Sequence, residues 1–196
     1  MAYAYLDLSF PEGLPGLSKE LLADHLTLHR GYVDRTNRLL DTLRTAEAEG
    51  RFGPELKEYR RRLGFEFSGM RLHEGYFRML SASPSTPDAA HPLQRRIEAQ
   101  WGSFDAWWKA FADTCTMPGI GWGVLLKDPA NGELSHAFLE DHQNGMPVGM
   151  QVVLALDVWE HAYVTDFRPT GRGKYVEAVK LLINWSVIEA AYGLMP

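Results

Sequence analysis

In LALDVWEHAYVTDF, residues 154–167, an apolar run ends in a carboxylate, Asp157. A histidine, His161, follows four residues later with Glu160 beside it. Charge in such company is costly unless it is paired, hydrogen-bonded or bound to a metal. Three more histidines, His25, His29 and His73, stand among apolar neighbours in the N-terminal part of the chain. One imidazole from each of two N-terminal helices, added to the Asp-x-x-x-His pair, would supply three nitrogens and one carboxylate. That set is too hard for copper(I) and lacks the thiolates of a structural zinc site. It suits iron or manganese, with a position left for solvent. A single buried histidine is otherwise a core residue with its hydrogen bonds met, and spacing alone leaves both readings standing.

Those residues need a scaffold. The spacing predicts a first helix over 18–48, opened by Ser18 and Glu20 and stopped at Gly50. Leu21, Leu22, His25, Leu28, His29, Tyr32 and Val33 fall on neighbouring faces of it, and Leu39, Leu40 and Leu43 continue the pattern. After a break at Gly53-Pro54 a second helix runs over 55–80. Gly64, Gly69 and Gly75 weaken it, and a glycine inside a helical pattern marks a close approach by another group. SASPSTPDAAHP, 81–92, reads as a linker. A third helix over 93–113 carries Trp101, Phe104, Trp107, Trp108 and Phe111 as core.

The pattern then changes to strands. Residues 121–127 and 133–140 flank Asp128-Pro-Ala-Asn-Gly132, a hairpin signal, and 150–156 supplies a third apolar run. A turn at Gly171–Gly173 precedes one or two terminal helices over 174–191. The fold class is therefore α+β: an N-terminal α-helical hairpin domain, 1–85, followed by a C-terminal α/β domain, 90–196, with a three-stranded antiparallel sheet. Pockets favour such boundaries. Trp122 and Trp159 are expected in the core or the site wall. His136 and His142 alternate along a strand and are compatible with a surface position, and His91 lies solvated in the linker.

Composition narrows the function. The 196 residues are 45% hydrophobic and 23% charged, with a net charge of -5. No general basic surface invites nucleic acid, and no run approaches the ~20 apolar residues of a membrane span. The start, MAYAYLDLSFPEG, lacks a secretory pattern. Cys115 is the sole cysteine, so an intrachain disulfide is excluded. A cytoplasmic, reducing location is the default.

DVWEHAY, 157–163, closely resembles the signature of the iron/manganese superoxide dismutases. His25 and His29 with Tyr32-Val33 and Asn37 resemble that family's first-helix motif, and GMRLHEGYF, 69–77, its second. GWGVLLKD, 121–128, the hairpin and NWSVIE, 184–189, are also similar. The resemblance implies that His25, His73, Asp157 and His161 hold one Fe or Mn ion per subunit, with solvent as a fifth ligand. It implies superoxide as substrate, converted to oxygen and hydrogen peroxide by one-electron cycling of the ion. Tyr32 and His29 would line the entry. Glu160 would pair with His161 of the partner subunit and Tyr163 would reach the partner's His25, giving a homodimer or a dimer of dimers.

Two departures carry expectations of their own. Tyr32 lies seven residues after His25, where the family has eight. At about 100° per residue, 25, 29 and 32 share one face of a regular helix, so His25 is kept as the ligand. Val164 replaces a second tyrosine. The family also places a glutamine or histidine against the bound solvent, from the second helix or from the sheet. The helix position here is Gly69, so the sheet must supply the donor, and His142 and Gln143 are the two candidates. The competing functions are a non-catalytic relative of the same fold and a zinc-type metallohydrolase. Against the hydrolase, no separate general base accompanies the ligands, unlike a HEXXH site.

Overall fold

The computed structural model describes residues 2–194. The first helix, α1 (Lys19–Ala48), begins where the Ser18 side chain accepts from the backbone N–H of Leu21 at 3.2 Å. It is followed by Gly50 at φ +66°, a left-handed position that glycine tolerates. Leu21, Leu22, His25, Leu26, His29, Tyr32 and Val33 form its buried stripe. The second helix, α2 (Pro54–Met79), starts on a proline and packs antiparallel to α1, burying Glu66, Gly69, Met70, His73, Tyr76 and Phe77. The chain before α1 is tied down by Asn37, which accepts from the Tyr3 N–H at 2.8 Å and donates to the Tyr3 carbonyl at 2.9 Å.

The predicted helix over 93–113 is two helices, α3 (Pro92–Trp101) and α4 (Phe104–Cys115). Gly102 takes a left-handed φ of 82° and Ser103 caps the Ala106 N–H at 3.1 Å, so one stop and one start fall side by side. Trp107, Trp108 and Phe111 are buried as expected. His91 is not simply solvated: its Nδ1 accepts from the Leu93 N–H and caps α3.

Strands β1 (Gly121–Lys127), β2 (Leu134–Glu140) and β3 (Gln151–Asp157) form an antiparallel sheet in the order β2-β1-β3. All of β1 is buried, as a central strand covered on both faces must be. Its register sets Trp122 opposite both Leu139 and Asp157. After β3 the chain makes a short 3-10 helix, Glu160–Ala162. Then come α5 (Val164–Phe167), α6 (Arg172–Lys180) and α7 (Trp185–Gly193). Asn184 latches α7 to the end of α2 by donating its N–H to the Met79 carbonyl at 2.7 Å.

One apolar cluster runs through both halves. It joins Leu21 and Leu22 of α1 and Tyr76 and Phe77 of α2 to Trp107, Phe111, the sheet and Tyr175 of α6. Among the described residues no helix is long and apolar enough to cross a membrane.

Candidate metal centre

Four side chains from four elements meet at one point: His25 from α1, His73 from α2, Asp157 at the end of β3 and His161 in the 3-10 helix. The Nε2 atoms of His25, His73 and His161 stand 3.1, 3.4 and 3.2 Å from Asp157 Oδ2. The four ligand atoms lie within 4.8 Å of one another. The turn after β3 makes this possible. Asp157 Oδ1 accepts from the Trp159 N–H at 2.9 Å, and the Ala162 N–H reaches back to the Trp159 carbonyl at 3.0 Å. The chain therefore curls straight back and returns His161 to the carboxylate four residues behind it.

Burial by itself would push Asp157 up. His161 and then His25 overcome it and hold the carboxyl well below its ordinary range, so the group is charged. Burial pushes His25 and His73 down, so both imidazoles are neutral. The His73 tautomer is set by its Nδ1–H, which donates to the Gly69 carbonyl at 2.6 Å. Its Nε2 is then a bare lone pair, buried, without a hydrogen-bond partner among the described residues, and facing a carboxylate. A lone pair held against an anion is unfavourable unless a cation lies between them. Metal–ligand distances of about 2.0–2.2 Å put right-angle ligand atoms about 3 Å apart, which matches the observed spacings. The donor set thus fits a single hard or borderline cation.

His142 and Gln143 have different surroundings. His142 points inward: its Nδ1 accepts from the Trp122 Nε1–H at 3.0 Å, and its Nε2 meets the Tyr32 hydroxyl at 2.7 Å. Trp122 can only donate, so Nδ1 is the acceptor and Nε2 carries the proton towards Tyr32. Burial lowers His142 to about 4 and raises Tyr32 to about 12, so both are neutral near pH 7. Gln143 is half-buried. Its Oε1 lies 3.3 Å from the His142 N–H, and it lines a cavity with His142, Phe67, Leu72 and Met146. Gly69 explains how His142 fits: a Cβ there would lie 2.8 Å from Tyr32 Cδ1 and 3.1 Å from His142 Cδ2.

The shortened spacing in α1 is accommodated by an uninterrupted α-helix, which buries His25, His29 and Tyr32 together. His29 is outside the four-residue group, and its buried Nε2 has no hydrogen-bond partner among the described residues. Tyr163 is 2% exposed and stacks on Tyr175, ring centroids 5.6 Å apart. Glu160 is exposed, and the His161 side chain is 24% exposed. Trp159 stacks between His142 at 5.1 Å and His161 at 5.7 Å and forms the wall expected of it. His136 is half-buried and stacks on Trp101 at 4.9 Å.

The residues that sequence reasoning missed are Arg35, Arg62, Phe65 and Glu66. Phe65 touches His142 at 4.5 Å between ring centroids, and Glu66 is buried with an arginine on each oxygen. A signal was present, since Glu66 lies on the same helical stripe as Gly69, His73 and Phe77.

Residues 89–191 match the family model described as iron/manganese superoxide dismutases, C-terminal domain. The chain is 32% identical to "Superoxide dismutase [Mn] 2" of Haloferax volcanii, over 91% of this chain and 88% of that one. It is 31% identical to "Superoxide dismutase [Fe]" of Saccharolobus solfataricus, over 89% of this chain and 85% of the relative. It is 30% identical to "Superoxide dismutase [Mn/Fe]" of Propionibacterium freudenreichii, over 87% and 86%.

Proposed function

We propose, from the premise that this chain belongs to the iron/manganese superoxide dismutase family, that it disproportionates superoxide at the centre formed by His25, His73, Asp157 and His161. Two superoxide anions and two protons become one dioxygen and one hydrogen peroxide. The observation that carries the reading is the convergence of three Nε2 atoms on Asp157 Oδ2. One Fe or Mn ion per subunit, held by these four side chains, would supply the one-electron couple, taking an electron from one substrate anion and giving it to the next.

The chain's own residues do the rest. As ligands of a cation, three imidazoles and one carboxylate contribute a charge of about -1, which leaves a di- or trivalent cation net positive and attractive to an anion. Trp122 fixes the His142 tautomer, and the His142 Nε2–H donates to Tyr32 Oη. The Tyr32 hydroxyl proton is thereby left to point into the site, where peroxide formation needs protons. With its pKa raised to about 12 by burial, Tyr32 donates a hydrogen bond without losing its proton at neutral pH. Buried Trp122 and Phe77 and the half-buried Trp159 keep bulk water from the ligands.

We place His29 at the substrate entry beside Tyr32, on the support of its burial on the same helix face. The chain divides into a helical unit, 1–85, and an α/β unit, 90–196, each giving two ligands. The working assembly is a homodimer or a dimer of dimers, in which Glu160 pairs with His161 of the partner subunit. Support comes from the exposure of Glu160 and of the outer edge of His161.

The deciding experiment loads the purified chain separately with iron and with manganese and follows superoxide decay directly. Activity is expected with at least one ion and none in the stripped protein. Stoichiometric metal at the site with no superoxide consumption would overturn the reading.

A further inference from the structure

Glu66 ligates no metal in the proposed set and stands outside the Trp122–His142–Tyr32 path, yet it is 1% exposed. A buried carboxylate requires charge partners, and Glu66 has two. Its Oε2 accepts from Arg35 Nε at 2.7 Å. Its Oε1 accepts from Arg62 Nε at 2.8 Å and forms an ion pair with Arg62 Nη2 at 2.7 Å. Two cations on one anion leave the cluster with a net charge of about +1. The two side chains are 42% and 53% exposed, so this charge faces solvent.

The cluster lies over the wall of the site. The Arg35 guanidinium carbon is 4.8 Å from the centroid of the Tyr32 ring, and that of Arg62 is 4.0 Å from the centroid of Phe65. Those two rings are in turn packed on His142, at 4.8 and 4.5 Å. The chain as a whole is acidic, with a net charge of -5, and its mean field repels an anionic substrate. A fixed local excess of positive charge beside Tyr32 reverses that repulsion where it matters.

We propose that Glu66 is a positioning residue that anchors Arg35 and Arg62 as a cationic collar, and that this collar captures superoxide before it reaches the metal centre. The inference rests on the dismutase reading. Anchoring removes the rotamer freedom that would otherwise smear the charge of two long side chains over a wide volume. The collar acts on capture, not on electron transfer. It therefore appears in kcat/KM and in the salt dependence, and leaves kcat unchanged.

The test uses metal-loaded enzyme and direct observation of superoxide decay from about 10 mM to about 0.5 M ionic strength, where the Debye length shrinks from roughly 30 Å to a few ångströms. Arg35→Gln and Arg62→Gln are each expected to lower kcat/KM about two- to fivefold at low salt and to converge on the parent at high salt. Arg35→Lys and Arg62→Lys keep the charge and should keep most of the salt slope; a purely packing role would instead lower thermal stability and leave the slope unmoved. In a Glu66→Gln background the Arg35→Gln effect should shrink to less than half, since the cation is no longer held over Tyr32. Salt curves of Arg35→Gln and Arg62→Gln parallel to that of an active parent overturn the collar alone. A parent that consumes no superoxide overturns the dismutase reading and the collar with it.

Discussion

The Tyr32 hydroxyl and His142 Nε2 are 2.7 Å apart although 110 residues separate them in the chain. This contact joins the helical hairpin to the loop after β2, and its direction is fixed from behind by Trp122. Tyr32→Phe removes the hydroxyl and keeps the ring that packs on His142 and His73. The expected result is retained metal and a drop in kcat of about 10- to 100-fold, the usual penalty for losing a partner just outside the ligands. His142→Ala should fall in the same range. His142→Gln should recover part of the loss, because an amide can accept from Trp122 and donate to Tyr32. Equal activity in the alanine and glutamine variants would show that the donor chain is not used.

Gly69 and Gly75 lie in the same helix and predict opposite outcomes. A Cβ on Gly69 would meet Tyr32 Cδ1 at 2.8 Å and His142 Cδ2 at 3.1 Å, whereas nothing lies within 4 Å of one on Gly75. Gly69→Ala should destabilise by about 1–3 kcal/mol through overpacking and displace the Tyr32–His142 pair, lowering activity as well. Gly75→Ala should stabilise by about 0.5–1 kcal/mol through the helical preference of alanine. Thermal unfolding with paired activity assays checks both, and the idea fails if the two variants behave alike.

These cases show what could be read from the residues beforehand. Helical spacing put His25, His29 and Tyr32 on one buried stripe, and a regular α1 keeps them there. Interior glycine announced a close approach at Gly69 without naming Tyr32 or His142 as the groups that approach. Adjacent residues on a turn, His142 and Gln143, could not be ordered by pattern, because no periodicity operates across Asp141 at φ +54°. The split at Gly102 escaped since the apolar pattern of α3 continues in α4. The contact of Tyr163 with Tyr175 could not be read from the motif, because it arises only from the packing of α6 on the turn. Helical spacing put Glu66 on the buried stripe of α2, but not its pairing with Arg35, which lies on another helix.

His136 makes a prediction about acid stability. Burial against Trp101 and Phe111 lowers it to about 4, below the ~6.5 of an unfolded chain. Between those values the unfolded state binds the proton and the folded state does not. Stability contributed by the neutral ring is complete above pH 6.5 and is lost as pH falls towards about 4. His136→Phe keeps the stacking and removes the titration. Its melting temperature should decline less between pH 7 and about 4.5 than the parent's. The same acid slope in both proteins would place the titration elsewhere, in His142 for example.

Asp157 separates metal binding from fold. Asp157→Asn keeps the shape and the hydrogen bond accepted from the Trp159 N–H, but removes the charge on which three imidazoles converge. In the parent, a cation at about 100 times its dissociation constant adds about 2.7 kcal/mol to the folded state. For a chain of this length that is roughly 5–10 °C in melting temperature. Protons compete with the cation for the ligand atoms, so the rise should diminish as pH falls. In Asp157→Asn the metal-induced rise should nearly vanish, while the melting temperature of the stripped protein moves by a smaller amount. Thermal scans of stripped and loaded protein, with metal content measured on the same samples, give the answer. An equal rise in parent and variant would mean that the cation binds somewhere other than between His25, His73 and His161.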